Sequence, residues 1–79
     1  MDINGKTLSI RAKRVVKYLE ASGATMADDL PTMVAANYVG YVTDRIELDY
    51  DNAVTELLDA EIVEEFIGDN GYTHVQITK

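Results

Sequence analysis

Seventy-nine residues, 47% of them apolar and none of them cysteine, describe one small globular domain near the size at which a single core barely suffices. Disulfides and thiolate metal sites are excluded, so stability rests on an unaided core or on association with another chain. The formal charge of -7 is unevenly placed: residues 1–24 hold five cations and two acids, residues 25–79 two cations and twelve acids.

No apolar run approaches the length of a membrane span, and no charged-then-apolar N-terminus marks a signal peptide. The expectation is a soluble cytoplasmic protein with no membrane partner.

In "KTLSIRAKRVVKYLEASG", Leu8, Ala12, Val15, Val16 and Leu19 recur at helical spacing, which predicts a first helix with a basic outer side. Thr7 is its expected cap and Gly23 its stop. Thr25 and Asp28 have the spacing of a capping box for a short turn. Pro31 suits a helical first turn, so a second helix is expected to begin near Leu30. Met33, Val34, Tyr38, Tyr41, Val42 and Ile46 continue at three- and four-residue steps, and Gly40 weakens that helix or lets a backbone approach. Asp49 is the expected N-cap of a third helix carrying Val54, Leu57 and Leu58, with Asp51 favoured by the helix dipole. After Ala60 the period changes. "EIVEEFIGDNGYTHVQIT" reads as strand, turn, strand, and the imperfect alternation of Tyr72, Val75 and Ile77 suggests a bulge or a partly exposed outer strand. The fold class is α+β: three helices followed by a C-terminal β-hairpin, in a single domain spanning residues 1–79.

This order resembles the winged helix-turn-helix superfamily, and the stretch that carries the likeness is "YVTDRIELDYDNAVTELLDAEIVEEFIGDNGYTHVQIT". The resemblance places Tyr41, Val42 and Ile46 in the second helix and Glu47-Leu48-Asp49 in the turn. Leu57, Leu58, Ala60, Ile62 and Val63 form the run that opens the wing. Two positions depart from the family pattern, which often has glycine where Glu47 and Glu61 stand. The resemblance implies that the third helix enters a DNA groove. Its exposed residues would be Asp51, Asn52, Thr55, Glu56 and Asp59, none of them cationic. Asn52 and Thr55 suit base edges, whereas three carboxylates there repel phosphate.

The basic patch is Arg11, Lys13, Arg14 and Lys17 on the first helix, flanked by Lys6, and these are the candidate phosphate contacts. They suit equally the acidic body of a second copy, or simple hydration. Asp49 and Asp51 open like a calcium loop, but Ala53, Val54 and Ala60 stand where such a loop needs an oxygen ligand, glycine and glutamate, so helix capping accounts for them. His74 has no second histidine or cysteine to share a metal. Asp28–Asp29 and Glu64–Glu65 are sequence neighbours, whose side chains diverge rather than form an acid–base pair. No catalytic residue, metal or cofactor is expected.

Two functions follow. The first is a small DNA-binding transcriptional regulator on duplex DNA, expected as a homodimer through Tyr38 and Tyr41 or through the first helix, with its acid excess screened in a salt-rich cytoplasm. The second is an acidic interaction module that presents Asp51, Glu56, Asp59, Tyr38 and Tyr41 to a basic protein. Such a module would occupy a DNA-binding groove in place of DNA, as small virus-encoded inhibitors do.

Overall fold

A computed structural model describes residues 2–3 and 6–78, with the backbone alone at 2–3 and 6–7. The side chain of Lys6 and the whole of Lys79 lie outside the described residues. A short antiparallel pair, β1 (Asp2–Ile3) and β2 (Lys6–Thr7), comes first. Then follow α1 (Ile10–Ser22), β3 (Thr25–Met26), α2 (Leu30–Tyr38), α3 (Asp44–Asp59), β4 (Val63–Ile67) and β5 (Thr73–Ile77). Three helices and a C-terminal hairpin, in an α+β arrangement, make a small winged helix among the described residues.

α1 begins two residues later than the sequence suggests. Ser9, not Thr7, is the cap, and its Oγ accepts from the Ala12 amide at 3.1 Å. A carboxylate from α3 selects it: Glu56 accepts from both the Ser9 amide (3.0 Å) and the Ser9 hydroxyl (2.8 Å). Gly23 ends the helix as expected, at φ +79°, its amide donating to the Leu19 carbonyl.

Thr25 caps no turn. It lies with Met26 in β3, which pairs with Val75 and His74 of β5. The sheet order is therefore β3-β5-β4, and β5 is the central strand rather than an outer one. β4 and β5 pair without a bulge from Val63↔Ile77 to Ile67↔Thr73. The wing closes through Gly68 and Tyr72, with Gly71 at φ +83° and the Asn70 side chain accepting from the Tyr72 amide. A Cβ at Gly68 would fall 2.6 Å from the His74 ring and would displace it.

The second and third helices divide earlier than expected. α2 starts at Leu30 with Pro31 in its first turn, as read, but it stops at Tyr38. Gly40, at φ +92°, turns the chain, and Thr43 caps α3 by accepting from the Ile46 amide at 3.2 Å. Ile46 and the Glu47-Leu48-Asp49 segment are thus helical, inside α3, and Asp49 is not a cap. Asp44 and Glu47 occupy the first turn of α3, where the helix dipole favours acids.

At the other end of α3 the Ile62 amide reaches back to the Leu57 carbonyl and the Glu61 amide to that of Leu58. This is a Schellman ending, with Glu61 at φ +60° in the position that usually takes glycine. The core lies between the helices and the inner sheet face. Ala12, Val15, Leu19, Leu30, Val34, Tyr50, Leu57, Ile62, Val63 and Val75 are all buried there.

Candidate binding interface

The resemblance to winged helix-turn-helix proteins makes the outward side of the third helix the candidate surface for a large ligand. Because α3 starts at Asp44, that side begins two turns before the sequence reading placed it. Asp44, Leu48, Asp51 and Thr55 follow one another at four-, three- and four-residue steps and are all exposed. Leu48 stands 53% exposed. It lines an open groove of about 400 Å³ with Ala27, Asp28, Pro31, Asp44, Glu47 and Asp51. Four of those seven residues are carboxylates, with an apolar floor beneath. Glu47 is partly held, since its Oε2 accepts from the Thr32 hydroxyl at 2.9 Å. Asp28, Asp44, Glu47 and Leu48 were not among the expected site residues. Gly40 and Thr43 are the sequence signals that set the α3 start and so place Asp44, Glu47 and Leu48 on that helix; Asp28, before α2, carries no such signal.

The basic residues of α1 do not form one patch. Arg11 lies 3.6 Å from Asp49 of α3, which also pairs with Arg45 at 3.4 Å. Arg14 donates to the hydroxyl of buried Tyr50 at 2.8 Å, and its guanidinium sits 5.5 Å from the centre of the Tyr38 ring. Arg14 is thus turned toward the helix bundle, whereas Arg11 pairs with Asp49 at the surface, its side chain 54% exposed. Lys17 points outward and Lys13 is half-buried. Arg45, on the first turn of α3, is 83% exposed.

The remaining expected site residues divide as well. Asn52 is exposed and lines a shallow groove with Ser9, Arg11, Asp49 and Glu56. Thr55 gives its hydroxyl proton to the Asp51 carbonyl one turn back. Glu56 is engaged with Ser9, whereas Asp59 is exposed at the end of α3. Tyr38 and Tyr41 do not share a helix: Tyr38 ends α2 under Arg14, and Tyr41 stands exposed in the following turn. On the wing, His74 stacks on Phe66 across the strands, with ring centres 5.4 Å apart, and its Nδ1 contacts the Tyr72 carbonyl.

Among the described residues no helix is long and apolar enough to cross a membrane, and no cluster of metal-ligating side chains forms. Comparison with protein-family models, with curated proteins and with solved structures gives no match for this chain.

Proposed function

We propose that this chain is a winged-helix interaction module whose α3 row engages a basic protein partner. The observation that carries the reading is Leu48, exposed within a groove whose other lining includes Asp28, Asp44, Glu47 and Asp51. A groove of this kind suits a lysine- or arginine-bearing segment with one apolar side chain, and it repels phosphate. Arg11 and Arg14, the candidate phosphate contacts, are each partly engaged within the fold, by Asp49 and by the Tyr50 hydroxyl, and no cation lines the groove around Leu48. The module works by binding rather than catalysis, and cysteine-free composition suits the cytoplasm.

The test is fluorescence anisotropy with a labelled arginine-rich peptide containing leucine, run beside a labelled DNA duplex. Capture of the peptide is expected, several-fold weaker after Asp44→Asn with Asp51→Asn and unchanged after Glu20→Gln on exposed α1. Tight duplex binding without peptide binding would overturn the reading.

A second reading, a DNA-binding regulator of the winged helix-turn-helix superfamily, is favoured by the arrangement of helices and wing and by exposed Arg45. On that reading Arg45 and Lys17 contact phosphate and Asn52 reads a base edge. Duplex affinity that falls steeply with salt, and sequence preference lost in Asn52→Ala, would establish it.

A further inference from the structure

Folding creates a second face that no single segment announces. Along α1, Arg14 and Tyr18 stand one turn apart, with Lys17 exposed beside them. Arg14 covers the Tyr38 ring of α2, and the Tyr18 hydroxyl lies 3.6 Å from the Met33 sulfur. Met33 and Tyr38 remain 44% and 37% exposed. The result is an aromatic and thioether floor with cations along one side, on a molecule that is otherwise acidic. Arg14 uses one donor on Tyr50, so its guanidinium has further N–H groups to offer.

We propose that this α1/α2 face docks the α3 row of a second copy of the chain. The proposal rests on the reading of that row as a protein-binding surface. The two faces match in kind. The row presents one apolar side chain, Leu48, between Asp44 and Asp51, which lie roughly 10 Å apart along the helix axis. The face presents an apolar floor, Met33 and Tyr38, beside Arg14 and Lys17. Leu48 of one copy meets that floor while its flanking carboxylates meet the cations. Tyrosine and arginine are the side chains most effective at such centres.

The contact joins two different surfaces, so it extends head-to-tail instead of closing on a pair. Its small size makes it weak, with a Kd on the order of 100 µM. Each copy carries -7 overall, and whole-body repulsion opposes contact at very low salt. At about 0.1 M that repulsion is screened over roughly 10 Å while touching pairs persist, and at about 1 M they weaken too. Association is therefore strongest at intermediate salt.

Sedimentation velocity on the intact chain, up to about 1 mM, tests this in both salts. The expected result is concentration-dependent growth beyond dimer at about 0.1 M, weakened about tenfold at about 1 M. Met33→Glu breaks the face and Leu48→Glu breaks the row, both at exposed positions. Each variant alone should be monomeric, and an equimolar mixture should form one-to-one dimers and stop there, since each supplies one intact surface. A wild-type monomer at every concentration overturns the proposal, as does a wild-type species that stops at dimer or survives Met33→Glu. The arginine-rich peptide separates this from the functional reading. Peptide capture by a wild-type monomer leaves that reading standing and removes the docking. Association lost in both variants without peptide capture supports the docking and confines the row to copies of this chain.

Discussion

Arg14 and Tyr50 make the sharpest test of how the helices are held together. The Tyr50 residue is 1% exposed, and its hydroxyl accepts a bond from Arg14 at 2.8 Å. A hydrogen bond to a charged group contributes roughly 1.5–3 kcal/mol, more than a neutral one. Arg14→Met leaves the hydroxyl without this donor and also removes the contact with Tyr38, which adds about 0.5–1 kcal/mol at a partly exposed site. A loss of about 2–3 kcal/mol is expected for Arg14→Met. Tyr50→Phe is milder, about 1 kcal/mol, because the half-exposed guanidinium regains water. Urea denaturation of both single variants and the double variant, with unchanged m-values, measures the coupling. It should exceed about 1 kcal/mol, and each kcal/mol lowers the thermal midpoint by roughly 4–8 °C in a domain this small. Additive effects, or Tyr50→Phe indistinguishable from wild type, would refute the clamp. The same bond means that Arg14→Glu also destabilises the fold, so DNA binding lost in that variant does not isolate a phosphate contact.

Ser9→Ala removes both the α1 cap and a bond to Glu56 and should destabilise by about 1–2 kcal/mol in urea. Glu56→Ala, which strips the same junction from the α3 side, should not add fully to it. The thermal midpoint should rise between low and molar potassium chloride, because twelve acids in residues 25–79 repel one another over a Debye length of roughly 10 Å at 0.1 M. A flat or falling midpoint would remove self-repulsion as a significant term.

The helical period of Val15, Val16 and Leu19, the proline that opens α2 and the Gly68–Gly71 bend were legible because each signal is local. The α2–α3 boundary was not. Tyr38, Tyr41, Val42 and Ile46 carry a helical spacing straight across the turn, and only Gly40 and Thr43 speak against it. The resemblance looked for a turn glycine at position 47; the structure has one at Gly40, and Glu47 is a helical residue. β3 has two residues, too few to show a period, and its partner lies at the far end of the chain. The same distance hid the arginines' partners: Arg11 and Arg14 look free along α1 because Asp49 and Tyr50 belong to another helix. The resemblance places Leu48 in a turn, whereas the α3 start at Asp44 puts it on a helix beside the groove.

Of the two positions that depart from the winged helix-turn-helix pattern the sequence resembles, Glu61 is the one that the backbone makes consequential. It ends α3 at φ +60°, the only non-glycine residue in the left-handed region among those described. A side chain there costs roughly 1–2 kcal/mol. Its neighbours hold it in place, because the Ile62 and Glu61 amides satisfy carbonyls of the last turn, and Ile62 and Leu57 are both buried. Glu61→Gly relieves the strain and returns about 0.5–1 kcal/mol as extra freedom of the unfolded chain. The net gain should be about 0.5–1 kcal/mol, a few degrees in thermal midpoint. The substitution also deletes a charge from an acidic surface, which by itself would stabilise. Glu61→Ala separates the two effects, since it removes the charge and keeps the Cβ. If backbone strain is the cause, Glu61→Gly is the more stable of the pair at both low and molar salt. Equal midpoints for the two variants would assign the gain to charge and limit the strain at Glu61 to the roughly 0.5–1 kcal/mol that the freedom of glycine offsets; a less stable Glu61→Gly would show that the turn holds no strain.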